Sequence, residues 1–168
     1  VALAAREIAK VCCAVQPEEF FVAGLLHDVG KLVFDTQFPD QFSQSIGLLN
    51  RNPDLATVDA ELQCLGVPHT VAGSMLALAW RLPPDITEVI LNHHRPLQSH
   101  FACELCTVVH VADGVCNRMG LGCRHLPDFD VFGGTAAWSL QLAPCTLRLA
   151  IERFEQQLAA DKALLGTV

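Results

Sequence analysis

Residues 25–31 read Leu-Leu-His-Asp-Val-Gly-Lys, an imidazole beside a carboxylate at the end of an apolar run that starts at Phe20. The run predicts a buried helix from Phe20 to about Phe34. Gly30 within it allows a turn or the close approach of a ligand. Histidine offers a borderline-soft nitrogen and aspartate a hard oxygen able to bridge two ions, a combination suited to Zn, Mn or Fe. A single His-Asp pair is as readily a helix-end hydrogen bond, so its meaning depends on the residues elsewhere in the chain.

Upstream, residues 1–14 place Ala, Leu, Ile, Val and Cys on a helical period, with Arg6, Glu7 and Lys10 on the other side. Val1 already reads as mid-helix, so the chain is expected to begin inside an element. Gln16-Pro17-Glu18-Glu19 supplies the proline and acids of the next helix start. Downstream, a helix is predicted from Pro39 through Leu49, a turn at Asn50 to Pro53, and a helix over 54–65 closed by Gly66. His69 stands just before or within the first turn of VAGSMLALAWRL, which Leu82-Pro83-Pro84-Asp85 breaks. Ile86 to His94 forms the next helix, stopped by Pro96, and Ala102 to Met119 a long one closed by Gly120 or Gly122. Residues 123–135 have no period, and Ala136 to Leu165 resumes as one or two helices. No alternating strand pattern occurs, so the fold class is all-α.

The 168 residues are 51% hydrophobic and 17% charged, with a formal net charge of −7, a mean hydropathy of +0.34 and a pI near 5.4. Charges or prolines interrupt every run short of the roughly eighteen apolar residues a membrane span needs. The apolar excess therefore predicts a helical core plus a covered surface, with a partner domain or a homodimer, and no membrane insertion. An acidic chain without a basic stripe is unsuited to a nucleic-acid backbone. The eight cysteines sit in apolar helical stretches such as Val11-Cys12-Cys13 and Val115-Cys116, which suggests buried thiols in a reducing cytoplasm. Cys103 and Cys106 form one CxxC with no second pair, a weak zinc or redox signal.

Six polar residues stand out against this background: His27, Asp28, His69, His93, His94 and Asp113. Adjacent helical residues point about 100° apart, so His93 and His94 share a cavity only where it wraps a helix end, a geometry that two metals, or a metal and an anion, can use. Asp113 sits on an otherwise apolar helix, where an unpartnered carboxylate is costly. His100, His110 and His125 are given no role. Six such residues on four helical segments resemble an in-bundle metal site.

Four segments carry a family resemblance: LLHDVGK, ELQCLGVPHTVAGSMLALAWRLP, ITEVILNHH and VVHVADGV. Together they resemble the successive motifs of the HD superfamily, specifically its HDOD branch, over roughly residues 1–122. The G-x-P-H-x-x-x-G…W-x-L-P stretch points to HDOD. The resemblance implies an HD-superfamily-like helical bundle over 1–122, lacking its N-terminal part, with 123–168 as a helical extension packed on the same domain. It also implies metal ligands at His27, Asp28, His69, His93, His94 and Asp113, for one or two divalent ions (Fe, Mn or Zn), with Lys31 near a substrate phosphate.

The family also uses a histidine on the preceding helix, which here is either just upstream of Val1 or absent. The branch that hydrolyses cyclic di-GMP follows its paired histidines with Gly-Tyr-Pro, whereas this chain reads HHRPLQSH and has no tyrosine. The resemblance thus implies a cytoplasmic bacterial signal-transduction module partnered with other signalling domains, and a nucleotide as its ligand. The alternative is a phosphohydrolase of nucleotide or cyclic dinucleotide phosphoesters. There His27, Asp28 and Asp113 would hold one ion and His69, His93 and His94 a second, and Lys31 and Asp28 would serve catalysis.

Overall fold

Ten α-helices and one short 3-10 turn make up the computed structural model, which describes residues 1–12, 16–122 and 124–165. In order they are α1 (Ala2–Val11), α2 (Pro17–Leu26), α3 (Val29–Gln37), α4 (Pro39–Arg51), α5 (Thr57–Leu65), α6 (His69–Ala79), α7 (Pro84–Asn92), the 3-10 turn (Pro96–Gln98), α8 (Cys103–Arg118), α9 (Thr135–Ser139) and α10 (Pro144–Leu165). No strand occurs among the described residues, and the all-α class holds. Proline opens α2, α4 and α7 at the first helical turn, where its missing N–H has no intrahelical partner to lose. Gly66 closes α5 with φ +76, a left-handed cap that favours glycine.

The core forms where α1, α2 and α8 meet and where α10 lies along α1. Ala4, Ala5 and Ile8 of α1, Ala23 of α2, Val89 and Ile90 of α7, and Val108, Val109 and Ala112 of α8 are fully buried there. Leu147, Ala150 and Phe154 of α10 join the same cluster. Because α2, α8 and α10 all pack on α1, little of it faces water. Glu7, expected on its polar side, is buried and paired with Lys10 at 2.7 Å.

Two further expectations change. The single helix predicted over Phe20 to Phe34 is two, parted at His27 and Asp28, where Asp28 leaves helical geometry (φ −101, ψ 13). Tertiary packing causes the break: Gly30 is pressed against the His69 carbonyl of α6, so α3 must leave α2's axis to make that contact. The thiols are also less uniformly buried than their apolar neighbours suggest. Cys106 and Cys116 are buried, Cys12 and Cys64 intermediate, and Cys103 and Cys145 exposed, while Cys13 and Cys123 lie outside the described residues. Among the described residues no single helix is long and apolar enough to cross a membrane. Helices α5 and α6 reach that hydropathy only together, and they meet at 79°.

Candidate metal centre

Four helix junctions deliver the polar side chains to one place. His27 and Asp28 sit in the break between α2 and α3, His69 opens α6, His93 and His94 follow the last residue of α7, and Asp113 projects from the middle of α8. Junctions suit this task because a side chain there is free of the helical stripe and can turn inward. His27, His69 and His93 are all at least 95% buried.

Hydrogen bonds fix the ring orientation of three imidazoles. His27 Nδ1 lies 2.9 Å from the Gly24 carbonyl, and His93 Nδ1 lies 3.1 Å and 3.2 Å from the carbonyls of Ile90 and Val89. His69 Nδ1 lies 2.6 Å from Glu61 Oε2. These oxygens only accept, so each Nδ1 carries a proton and each ring turns its Nε2 inward. The Nε2 atoms of His69 and His93 are 3.3 Å apart. Two lone pairs at that distance repel unless a proton or a cation lies between them.

Further donors converge on the same point. Asp28 Oδ1 lies 3.1 Å from His69 Nε2 and 3.7 Å from His93 Nε2. His27 Nε2, Asp28 Oδ1 and His94 Nε2 are buried without a hydrogen-bond partner. Such atoms are costly to bury unless something coordinates them, and a set of imidazole nitrogens and carboxylate oxygens fits Zn, Mn or Fe. Two groups have their ligand atoms within 4.8 Å of one another: His69, His93 and His94, and His27, Asp28 and His93. His93 belongs to both. Asp113 stands slightly apart, with Oδ1 3.8 Å from His27 Nε2.

The electrostatics sort the imidazoles into two kinds. Burial opposes charge on His27, but the nearby carboxylates of Asp113 and Asp28 outweigh it and raise the group to about 9. His69 is also raised, burial being overcome by Asp28 and Glu61. Burial, then the neighbouring imidazoles, holds His93 and His94 well below the ordinary histidine value. Asp28 and Asp113 are lowered against the effect of burial, Asp28 by His27 and His69 and Asp113 by His27. Lys31 Nζ completes the picture 2.6 Å from Asp28 Oδ2.

A cavity of about 380 Å³ opens over this floor. Asp28, Lys31, His94 and Asp113 lie at its base, and the N-terminus of α5 borders it at Ala56 and Thr57. The other wall is the end of α8 and the segment after it, including Asn117, Leu121, Arg124, Leu126 and Phe129. Arg124 ties that segment down, its Nη1 donating to the Leu55 carbonyl at 2.8 Å and its Nη2 to that of Pro53.

All six expected ligands and Lys31 thus line or underlie one cavity. Sequence reasoning missed two residues. Glu61 orients His69, and His110, given no role, donates from Nδ1 to the His93 carbonyl at 2.7 Å and lines the cavity. Both carry a signal in helical phase. Glu61 falls on the stripe of Thr57, Cys64 and Leu65, and His110 shares a face with Asp113, Gly114 and Asn117. His100 is exposed, with its backbone N–H bonded to Glu88, and His125 lies near Gly120.

A family model for the HDOD domain matches residues 1–96. The chain belongs to the HDOD family. Its HDOD fold is similar to that of an HDOD domain protein of unknown function from Geobacter sulfurreducens, with a TM-score of 0.80 and 25% identity, over 96% of this chain and 57% of that one. Two further structures, each 19% identical, share the fold. One is a provisionally named phosphohydrolase from Shewanella amazonensis SB2B (TM-score 0.63, over 91% of this chain and 60% of that one). The other is a provisionally named signal transduction protein from Marinobacter aquaeolei VT8 (0.73, over 99% and 37%). The chain therefore spans less than two thirds of the length of each of these relatives. No curated protein matches the sequence.

Proposed function

We propose that this HDOD chain is a signal-transduction module whose buried histidine cluster holds a divalent ion, Fe, Mn or Zn, for ligand sensing or for the integrity of the fold. The observation that carries the reading is the convergence of Nε2 atoms whose rings are each locked from behind at Nδ1, together with an unbonded Asp28 oxygen. Backing of this kind is the usual environment of metal-ligating histidines. His27, Asp28, His69, His93, His94 and Asp113 are the residues that would hold one or two ions, and Lys31 would face an anionic ligand such as a nucleotide. The reading places the module in the cytoplasm, joined to other signalling domains or to a second copy, with residues 123–168 part of the same domain as 1–122.

Elemental analysis of purified protein, followed by titration with Mn²⁺, Fe²⁺ and Zn²⁺, tests the proposal. The expected result is stoichiometric uptake that a His93→Ala, His94→Ala variant loses. Absence of uptake by the unsubstituted protein would overturn it.

The cavity over the floor supports a second reading, a phosphohydrolase acting on nucleotide or cyclic dinucleotide phosphoesters. A bound ion supplies Lewis acidity and a nucleophilic water to such sites. Lys31 would offset charge developing on the phosphoryl oxygens, Asp28 would orient the ammonium from 2.6 Å, and the Arg124-anchored wall would exclude bulk water. Turnover of a phosphoester by ion-loaded protein, lost in Lys31→Met, is its expected signature. Ion binding without turnover favours the sensing module.

A further inference from the structure

Glu61 is among the most buried charged side chains in the chain, at 1% exposure, and both contacts of its Oε2 go to one residue. That oxygen accepts the His69 backbone N–H at 2.8 Å and the His69 Nδ1–H at 2.6 Å. The backbone bond satisfies an N–H of the first turn of α6, which Pro68 at the cap position leaves without a side-chain acceptor. The ring bond fixes the tautomer. Held at both ends by a single atom, His69 has neither a rotamer nor a tautomer to spare.

The other imidazoles are held differently. His27 and His93 donate from Nδ1 to neutral backbone carbonyls, and of these three rings only His69 has a carboxylate behind its Nδ1. A carboxylate behind an imidazole raises its basicity as a ligand more than a carbonyl does. His69 lies in the three-histidine group and is absent from the group of His27, Asp28 and His93, so the two groups, which compete for His93, are not equivalent.

We infer that Glu61 is a positioning residue that makes the His69, His93 and His94 group the preferred ion site, an inference that rests on the metal reading above. It acts through His69 and touches no ligand itself.

Co²⁺ titration of the purified chain, followed by its visible absorption, tests this on Glu61→Gln. The glutamine carbonyl can still accept both hydrogen bonds, so a residue serving only as a helix cap would leave Co²⁺ affinity unchanged. A positioning role predicts roughly 10- to 100-fold weaker binding, with the melting temperature of the metal-free protein close to that of the unsubstituted chain. Equal affinity in the two proteins would overturn the inference, whereas no Co²⁺ binding by the unsubstituted protein would overturn the metal reading and this inference with it. Where the variant fails to fold, ring ¹⁵N shifts of His69 in the unsubstituted protein decide: protonation at Nδ1 is required, and protonation at Nε2 alone would refute the role.

Discussion

Gly30 and Gly73 meet backbone to backbone: a β-carbon on Gly73 would lie 3.0 Å from the Gly30 nitrogen, and one on Gly30 would fall onto the His69 carbonyl oxygen. This seam between α3 and α6 sets how closely His27 and Asp28 approach His69. A carbonyl in a helix cannot swing aside as a flexible side chain can. Gly30→Ala is therefore expected to destabilise the chain by roughly 3 kcal/mol, the upper part of the usual range for overpacking, read as a lowered urea midpoint. The same variant should bind divalent ions more weakly even at temperatures where it stays folded.

The two kinds of imidazole predict a pH optimum for the metal-free protein. Between about 6.5, the unfolded value, and about 9, folded His27 keeps a proton that the unfolded chain has released, so stability falls as pH rises. His69, also raised, adds to that fall. Below about 6.5 the unfolded chain takes up protons that buried His93 and His94 refuse, so stability falls as pH drops. The melting temperature in EDTA should peak near pH 6.5 and decline towards both pH 5 and pH 9. A monotonic profile would contradict the assignment.

Ion binding must displace the proton on His27 Nε2 if that atom joins the coordination shell. Calorimetry at pH 7.5 in buffers of differing ionisation enthalpy should then show proton release on Mn²⁺ or Zn²⁺ addition. In protein loaded through the three-histidine group alone, any release should come from His69, because His93 and His94 are already neutral there.

Lys31 has opposite effects on the two ligands the cavity would take. Its ammonium neutralises Asp28 at 2.6 Å and repels a cation. Lys31→Met should tighten Mn²⁺ binding about fivefold, on the order of 1 kcal/mol once solvent screening is counted, while weakening inorganic phosphate. Titrating each ligand separately distinguishes this from a general loss of structure, which would weaken both.

Arg124→Ala removes two bonds that hold the outer wall to the turn before α5. The expected loss is about 1 to 3 kcal/mol, with faster proteolytic cleavage over residues 120–129 and unchanged ion affinity, since none of the floor residues depends on it.

The all-helical class and most helix boundaries were legible in the sequence because proline, glycine and helical period are local signals. Pro17 and Pro39 each mark a helix start that the structure repeats, whereas Pro84, expected only to break the preceding helix, opens α7 two residues ahead of the expected Ile86. The break at His27 and Asp28 was not legible: a polar pair and one glycine can equally sit within a continuing helix, and the break arises from Gly30 docking on α6 some forty residues away. The six candidate ligands stood out by their contrast with apolar neighbours. Glu61 did not, since an acid on a short helix that also carries exposed Asp59 looks like ordinary surface until its phase is compared with Cys64 and Leu65. Asp113 was legible as a carboxylate needing a partner, but His27 as that partner depended on the meeting of α2 and α8.

The floor of the cavity and its outer wall come from different parts of the chain. Five of the six candidate ligands fall within residues 1–96, where the family model matches, whereas Asn117, Leu121, Arg124, Leu126 and Phe129 lie beyond it. Arg124 grips only main-chain carbonyls, an attachment indifferent to the side chains at Pro53 and Leu55. The wall can therefore be rewritten residue by residue without disturbing the chemistry beneath it. The scaffold thus sets a floor of candidate ligands, drawn mostly from the part the family model matches, beneath an outer wall that lies beyond it.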